Sequence, residues 1–465
     1  MSSILGVDVA KAFAQLYDEL MQTPPVATEL ETWPASPAYR QAEVRVTGLI
    51  GTGLQIDESS LTAEIAAGRP ATMGALAAID TVLRRANDDN PGRTPQTIEL
   101  QKRRWRQGGY YVSADDGAVL SRRASQREPQ QGAETLADKF DIVRVAPESW
   151  THAQFIVVDS NLDYRVLPGD ELRVAALPMS VLPEDLDMTS TQTAQGRPVY
   201  IARPGPDLHA HVSTAATAVH GADLALAPES TLDANGLDAW QLAATSEMPT
   251  WVFAGTGPVG GDLPGGSAPL GTGTTVDGDE LMPNRGVLLH GPTGDVIAVQ
   301  DKRSGFTILP GLLAAYRLPN DPPVGHDEGM EPGRTLTVVE SKAGRFAVFI
   351  CEDLGREMDL AADLVGFGIT HLLVPILATP IRVREWHQSI ARRVTQRAGT
   401  TVVVFNSLVL GREENPAQPA ATMMVVEQRA DAYAGEEHME RNLGGLVVAP
   451  RDDALTPRGR DIVTR

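Results

Sequence analysis

The first 165 residues combine helical hydrophobic periodicity with one β-like run. Three segments have apolar residues at helical spacing and are predicted as helices: 8–22, 72–87 and 96–107. The run AEVRVTGLIGTGL, which begins at Ala42, is typical of a strand. Residues 121–135 are polar and lack apolar periodicity, which indicates a loop. The pattern therefore predicts a mixed α and β N-terminal domain over residues 1–165.

From about residue 170 the pattern changes to short apolar runs that alternate with helical segments. The predicted strands are ELRVAAL, ADLALAP, TWVFAG, RGVLLHG, GRFAVFI, THLLVPIL and TVVVFNS, and DLHAHVSTAATAVHG is predicted as a helix. Strands this apolar are buried on both faces, as a layered α/β architecture requires. Residues 182–197 and 256–283 are predicted as loops or insertions. We therefore predict an α/β domain over residues 170–450 and a C-terminal tail over 451–465.

Composition places the chain among globular proteins of about two domains. Its 465 residues are 42% hydrophobic and 22% charged, enough apolar material to bury a core. The net charge of -20 repels phosphate groups, so nucleic-acid and anionic-membrane binding are not expected. No stretch approaches the roughly 20 apolar residues needed to cross a bilayer, and the N-terminus lacks the features of a signal peptide. The sequence therefore predicts a cytoplasmic protein.

One stretch of the N-terminal domain departs from the acidic composition. Between residues 102 and 127, basic and aromatic side chains are interleaved: Lys102, Arg103, Arg104, Trp105, Arg106, Tyr110, Tyr111, Arg122, Arg123 and Arg127. Such a pattern is compatible with binding a nucleic acid or an acidic protein surface. A solvated helix face, paired with the acidic second domain, is the favoured interpretation. A protein partner of the N-terminal domain stays open.

The single cysteine, Cys351, lies where an apolar strand meets a helix-compatible stretch that begins at Gly355. One cysteine excludes an intramolecular disulfide framework and a zinc site built on several thiolates. At such a turn, backbone N–H groups and a helix N-terminus lower the pKa of a thiol and can bind a developing oxyanion. The alternative is an inert cysteine at the end of a buried strand. Two other segments favour a nucleophile.

These two segments place a carboxylate and an amine at strand ends. Glu229 follows Pro228 at the end of the strand ADLALAP, where burial would raise its pKa toward the range of a general base. Lys302 ends the second strand of the predicted hairpin in NRGVLLHGPTGDVIAVQDK. Taken singly, Glu229 is more often a capping or surface residue, and Lys302 an exposed strand end.

In this order and at these spacings, Glu229, Lys302 and Cys351 resemble the Glu-Lys-Cys triad of the nitrilase superfamily of carbon–nitrogen hydrolases. Asn284 stands before the hairpin, where family members often have an asparagine. The segment EGMEPG is similar to the part of aliphatic amidases that carries a second active-site glutamate, here Glu328. CEDL is similar to the glutaminase portions of glutamine-dependent nicotinamide dinucleotide synthetases, although no pyrophosphate loop follows. The resemblance covers about residues 170–450.

The resemblance implies a four-layer α-β-β-α sandwich that assembles as dimers or larger homo-oligomers, without a metal or organic cofactor. It implies that Glu229 takes the thiol proton and that Cys351 attacks an amide or nitrile carbon. Lys302 and the backbone N–H of Glu352 would hold the negative charge. Substrate-orienting residues would be Asn284 and Glu328, with Glu331 as the competing candidate for the role of Glu328.

The substrate class stays open between two branches of the family. The motifs CEDL and EGMEPG favour an amide over a nitrile. Acyl transfer to a nucleophile other than water is also compatible with the triad, because the same acyl-enzyme serves both reactions. The alternative of a different class is a regulatory protein, whose hydrolase domain serves a partner through residues 1–165.

Overall fold

A computed structural model of the chain describes residues 7–50, 55–88, 119–122, 135–140, 142–145, 153–157, 173–177, 179, 183–258, 275–276, 279–319, 323–341, 344–356, 364, 369, 371–378, 386–398, 400–407, 409–410, 423–426, 431–433 and 446–448. The helix predicted at 96–107, nearly all of the basic stretch and the tail at 451–465 lie outside these residues. The chain divides into two compact units. The first unit comprises Met1–Thr151, Leu360–Thr370 and Arg397–Gly399, and the second comprises His152–Asp359, His371–Gln396 and Thr400–Arg465.

The first unit is mainly helical in its described part. Its elements are β1 (Val7–Asp8), α1 (Val9–Met21), α2 (Ala27–Thr32), α3 (Pro37–Leu49), β2 (Gln55–Ile56), α4 (Glu58–Ala66), α5 (Arg69–Asp88), β3 (Val119–Arg122) and β4 (Ile142–Val145), with 3-10 turns at Trp33–Ala35 and Leu136–Lys139. The strands form two antiparallel pairs, β1 with β2 and β3 with β4. Phe13, Leu16 and Leu76 belong to one buried apolar cluster. The helices predicted at 8–22 and 72–87 are confirmed as α1 and α5.

The strand predicted in AEVRVTGLIGTGL is wrong, because most of this run lies in helix α3. Ser36 caps the helix by accepting a backbone N–H, and a proline occupies the first turn. Ala42 and Val46 are fully buried, whereas Val44 between them is 74% exposed. Buried residues four positions apart lie on the same face of a helix. In a strand, Ala42, Val44 and Val46 would all share one face, and Val44 would be buried as well. The β-branched residues that suggested a strand are outweighed by this packing.

The second unit contains two large sheets, which confirms a mixed α/β architecture there. The six-stranded sheet comprises, in spatial order, β14 (Val296–Asp301), β13 (Asn284–His290), β10 (Trp251–Pro258), β9 (Leu224–Ala227), β6 (Val174–Ala176) and β23 (Leu446–Val448). The seven-stranded sheet comprises β22 (Asp431–Tyr433), β21 (Met423–Val426), β20 (Thr401–Asn406), β19 (His371–Ile376), β18 (Gly344–Val348), β17 (Leu336–Ser341) and β5 (Ala153–Val157). All seven strands predicted between residues 170 and 450 are confirmed. Strand β5 belongs to this unit although it precedes residue 165.

The two sheets face each other through apolar side chains. Phe253 of β10 and Phe405 of β20 contact edge to face, with ring centroids 5.8 Å apart. Helices α6 (Val212–Ala218) and α7 (Ala234–Ala243) pack in one buried cluster with alternate residues of the six-stranded sheet, such as Ala225 of β9. The helix predicted in DLHAHVSTAATAVHG is confirmed as a 3-10 turn followed by α6. The layered packing brings the ends of several strands to one place.

A four-stranded sheet lies beside these layers in the second unit. Its order is β15 (Thr307–Ile308), β16 (His326–Glu328), β8 (Pro198–Pro204) and β7 (Leu186–Gln192). Residues 182–197 were predicted as a loop or an insertion, and a loop is wrong at Leu186–Gln192, because these residues form β7, which makes an antiparallel hairpin with β8. Thr189 and Thr191 are β-branched residues that suit a half-exposed strand, and their polarity had suggested a loop.

The remaining described elements are β11 (Thr275–Val276), β12 (Asp279–Glu280), α8 (Asp353–Arg356) and α9 (Trp386–Ala398), with 3-10 turns at Pro183–Asp185, Leu208–His211 and Pro310–Leu312. All of them belong to the second unit except the last two residues of α9. The predicted insertion at 256–283 thus contains the end of β10 and the short β11–β12 pair among its described residues. Within the part of the chain that the structure describes, no helix has the length and apolar character to cross a membrane.

Candidate active site

Four strand ends bring the predicted site residues into one region of the second unit. Glu229 follows β9, Asn284 begins β13, Lys302 follows β14, and Cys351 follows β18 by three residues. The backbone N–H of Lys302 donates to the carbonyl oxygen of Asn284 at 2.7 Å, which extends the pairing of β13 with β14. Glu328 comes from neither of the two large sheets; it is the last residue of β16 in the four-stranded sheet.

The Lys302 ammonium group lies between two carboxylates. Its Nζ atom is 2.8 Å from Oε1 of Glu229 and 2.6 Å from Oε2 of Glu328. The side-chain amide of Asn284 donates to the same two residues, at 2.7 Å to Glu229 and 2.9 Å to Glu328. All four side chains are nearly excluded from solvent; that of Lys302 is 2% exposed. The predicted Glu229, Lys302, Asn284 and Glu328 thus form one buried hydrogen-bonded network.

Backbone N–H groups complete the coordination of the two carboxylates. Leu377 donates to Oε2 of Glu229 at 3.0 Å, and Phe306 donates to Oε2 of Glu328 at 3.0 Å. The pKa of the Cys351 thiol, which burial raises, also responds to the charge of Glu229 and to the Leu377 N–H, so the thiol lies near both groups. Every oxygen of Glu229 therefore has a donor, as a buried carboxylate requires.

Burial and charge shift the pKa values of this network in directions that suit proton transfer. Burial raises the pKa of Glu229, although the ammonium group of Lys302 opposes the shift. Burial acts to lower the pKa of Lys302, but the carboxylates of Glu229 and Glu328 outweigh it and hold that pKa well above its ordinary value. Lys302 therefore stays charged, while Glu229 becomes a stronger base than an exposed glutamate.

The expectation that the turn lowers the pKa of Cys351 is wrong. Burial raises the pKa of the thiol well above its ordinary value, and the Glu229 carboxylate adds to the shift. Lys302 and the Leu377 N–H act in the opposite direction but do not prevail. The resting site thus holds a neutral thiol next to a base.

Two turns at the site have left-handed backbone conformations at residues other than glycine. Cys351 has a φ of 51°, and Ser230, directly after Glu229, has a φ of 54°. Such conformations cost about 1–3 kcal/mol each and persist where the surrounding structure holds them. The Cys351 turn is held in part by its own N–H, which donates to the carbonyl of Pro375 at 2.9 Å. Strained backbone at Cys351 and directly after Glu229 is typical of functional sites.

The side chains of the other predicted candidates lie as follows. Glu352 forms an ion pair with Arg356 at 2.9 Å, so its side chain points toward partly exposed surface and only its backbone N–H suits the predicted role. Glu331 is buried at 3% exposure, and its backbone N–H donates to Met282. Lys302 contacts the carboxylate of Glu328, in addition to that of Glu229.

Sequence patterns did not reveal two buried tyrosines beside the network. Burial raises the pKa of Tyr200 and of Tyr316, and in both cases the charges of Glu229, Glu328 and Cys351 contribute. Tyr200 lies opposite Glu328 in the pairing of β8 with β16. Only this pairing brings Tyr200 to the site, because the two strands are far apart in sequence. The sequence therefore contained no indication that Tyr200 lies at the site.

The glycine at position 255 is needed because the chain passes close to Glu229. A Cβ atom added there would lie 2.6 Å from both the Glu229 Cα and the Pro228 carbonyl oxygen. We expect Gly255→Ala to lower the free energy of unfolding by about 1–3 kcal/mol through overpacking. The measurement is urea unfolding beside Gly311→Ala, where an added Cβ meets no atom within 4 Å. Equal stability of the two variants would contradict this close approach.

Comparisons with solved structures find proteins of the superfamily that the sequence motifs resemble. A mutant of the amidase from Nesterenkonia sp. AN1, with the acetamide moiety of fluoroacetamide on its active-site cysteine, is 15% identical over 56% of this chain and 83% of its own, with a TM-score of 0.34. A second mutant of that amidase is 16% identical over 57% and 85% of the two chains, with a TM-score of 0.33. A CN-hydrolase superfamily protein from Xanthomonas campestris is 14% identical over 48% and 79%, with a TM-score of 0.32.

No model of a protein family and no curated protein matches the chain. At the identities and TM-scores of the structural matches, the similarity carries no statement about activity. The function of the chain therefore has to come from the residues of the site.

Proposed function

We propose that the chain is a thiol-dependent carbon–nitrogen hydrolase that cleaves an amide through a thioester on Cys351. The observation that carries this proposal is the buried network in which Lys302 contacts both Glu229 and Glu328 while Glu229 lies beside the thiol. A neutral thiol, an adjacent base of raised pKa and a fixed cation are the groups that acyl transfer needs.

The first half of the proposed reaction forms the thioester. Glu229 takes the proton of the Cys351 thiol as the sulfur attacks the carbonyl carbon, and the carbonyl oxygen becomes an oxyanion. Lys302 and the backbone N–H of Glu352 stabilise that negative charge. When the C–N bond breaks, Glu229 returns the proton to the leaving nitrogen, so that ammonia or an amine departs.

The second half releases the acid and restores the thiol. Water attacks the thioester carbon while Glu229 accepts a water proton, and the same groups hold the second oxyanion. The C–S bond then breaks, the carboxylic acid leaves and Cys351 regains its proton. Glu328 and Asn284, fixed by their shared hydrogen bonds, orient the substrate amide or the attacking water. Protein groups and water supply this chemistry, and the proposal includes no metal or organic cofactor.

The proposal extends to the architecture and assembly of the chain. It includes a four-layer α-β-β-α sandwich over residues 170–450 and a homodimer or larger homo-oligomer. It assigns residues 1–165 to an accessory domain that is compatible with binding a protein partner, and it places the protein in the cytoplasm. Among the described residues, no cluster of His, Cys, Asp and Glu suits a metal ion.

Ammonia release from a panel of simple amides, glutamine and nitriles tests the proposal. We expect the purified protein to release ammonia from at least one amide, together with an equivalent of acid. Activity on nitriles alone would contradict the amide substrate and indicate a nitrilase instead. Silence across the whole panel would contradict the hydrolase and favour a regulatory role with a protein partner. Protein whose one thiol has been fully alkylated is the control for contaminating hydrolases.

A further inference from the structure

A buried carboxylate that the proposed mechanism does not use lies two residues after Cys351. The Asp353 side chain has no exposed surface. It accepts backbone N–H groups from Ile350 at 3.0 Å, Arg303 at 3.0 Å and Ser304 at 2.7 Å. Hydrogen bonds to a charged acceptor are stronger than neutral ones, and a buried carboxylate is tolerated only where such donors surround it.

The donors to Asp353 come from two segments that carry different groups of the site. Ile350 directly precedes Cys351, whereas Arg303 and Ser304 directly follow Lys302. Oδ2 accepts from Ile350 in the first segment, Oδ1 accepts from Arg303 and Ser304 in the second, and Arg303 also reaches Oδ2 at 3.3 Å, so one carboxylate spans both segments. These two segments are about 50 residues apart in the chain, and the Asp353 carboxylate joins them.

We propose that Asp353 is a positioning residue that joins the turn of Cys351 to the loop after Lys302 and thereby sets the distance between thiol and ammonium group. This inference rests on the proposed function. The left-handed backbone at Cys351 is a conformation that persists only when its surroundings hold it, and the Ile350 bond supplies such a restraint. The role is performed through the backbone N–H groups that donate to Asp353.

The variant Asp353→Asn tests this role because it keeps the shape of the side chain but replaces one acceptor oxygen with a donor. At least one of the N–H groups then loses its partner and the two segments separate. We expect kcat on the best amide to fall about 100-fold, the cost of displacing reacting groups by about an ångström. KM should change much less, because Asp353 does not bind the substrate.

A matched control is Asp223→Asn. The Asp223 carboxylate also accepts a backbone N–H, that of Arg173 at 2.8 Å, but it precedes β9, whereas Glu229 follows the other end of that strand. Both variants lose a carboxylate bound to backbone. We expect Asp223→Asn to lower the melting temperature without changing kcat. A loss of kcat in Asp353→Asn alone would then reflect positioning and not a general loss of stability.

Alkylation of the one thiol provides a second readout that needs no substrate. In the wild type, burial and the Glu229 carboxylate raise the pKa of Cys351. If Asp353→Asn releases the turn, iodoacetamide should react faster at neutral pH, and the midpoint of its pH dependence should move down toward that of an ordinary thiol. Asp223→Asn should keep the wild-type profile.

The combined outcomes separate the two proposals. A wild type without hydrolytic activity, together with the expected change in alkylation, would sink the proposed function and leave the Asp353 link standing. Wild-type kcat and an unchanged alkylation profile in folded Asp353→Asn would overturn the inference. If that variant does not fold, Asp353→Glu keeps both acceptor oxygens on a longer side chain, and we expect a smaller loss of kcat. Unchanged kcat in Asp353→Glu would also overturn the inference.

Discussion

Replacing Lys302 with methionine should lower the free energy of unfolding by about 3–5 kcal/mol, the range for breaking one side of a buried ion pair. Methionine has a similar length but removes the only charge that contacts both Glu229 and Glu328 in the network. Two buried carboxylates would then face each other without a cation. The measurement is equilibrium unfolding in urea, with the two-state midpoint and slope compared with those of the wild type.

The matched control for this prediction is Lys139→Met in the first unit. Lys139 is partly exposed, and surface substitutions usually change stability by less than about 0.5 kcal/mol. A Lys302→Met variant as stable as Lys139→Met would mean that the carboxylates do not depend on the ammonium group. We expect instead a large difference between the two variants, and no hydrolysis by Lys302→Met under conditions where it is folded.

The variant Glu229→Gln should lower kcat/KM by about 100-fold to 10,000-fold, the usual contribution of a general base. Glutamine keeps the shape and the hydrogen bond from Leu377, but it cannot accept a proton from Cys351. The pH dependence should change as well. Because the pKa of Glu229 is raised above 4.5, wild-type kcat/KM should fall as the pH decreases through that raised value.

In Glu229→Gln this acidic limb should disappear, since the group that titrates there is gone. Glu64→Gln is the matched control, because Glu64 is a buried glutamate at 2% exposure that pairs with Arg45 in the first unit. It should change stability but not the rate per folded molecule. Rates that fall equally in both variants, or an acidic limb that persists in Glu229→Gln, would show that Glu229 is not the base.

The sequence was most informative where chemistry coincides with strand ends. Glu229, Lys302 and Cys351 each follow an apolar run, and buried strands of this kind are recognisable without a structure. Their convergence was implied by the family resemblance, which rests on their order and spacing. The network then adds Asn284 and Glu328, which came from the same resemblance.

Other features depend on contacts between distant segments and could not be predicted. Helix α3 was predicted as a strand because its β-branched residues are typical of strands. The helical spacing of its two buried residues, Ala42 and Val46, became visible only in the structure. We predicted that the pKa of Cys351 is lowered, whereas the structure shows that burial raises it. The contacts that bury the thiol come from distant segments, so the sequence around Cys351 does not reveal them. The hydrogen bonds of Asp353 and Leu377 join segments far apart in the chain, and backbone donors leave no mark on residue type.

The rate of ammonia release by Cys351→Ala tests the central claim most directly. It should be measured on the amide that the wild type hydrolyses fastest, at equal concentrations of folded protein. The account predicts that release falls to that of the reaction without enzyme, because the thioester cannot form and the chain has no second cysteine. Ammonia release that survives in Cys351→Ala at a rate near that of the wild type would contradict it.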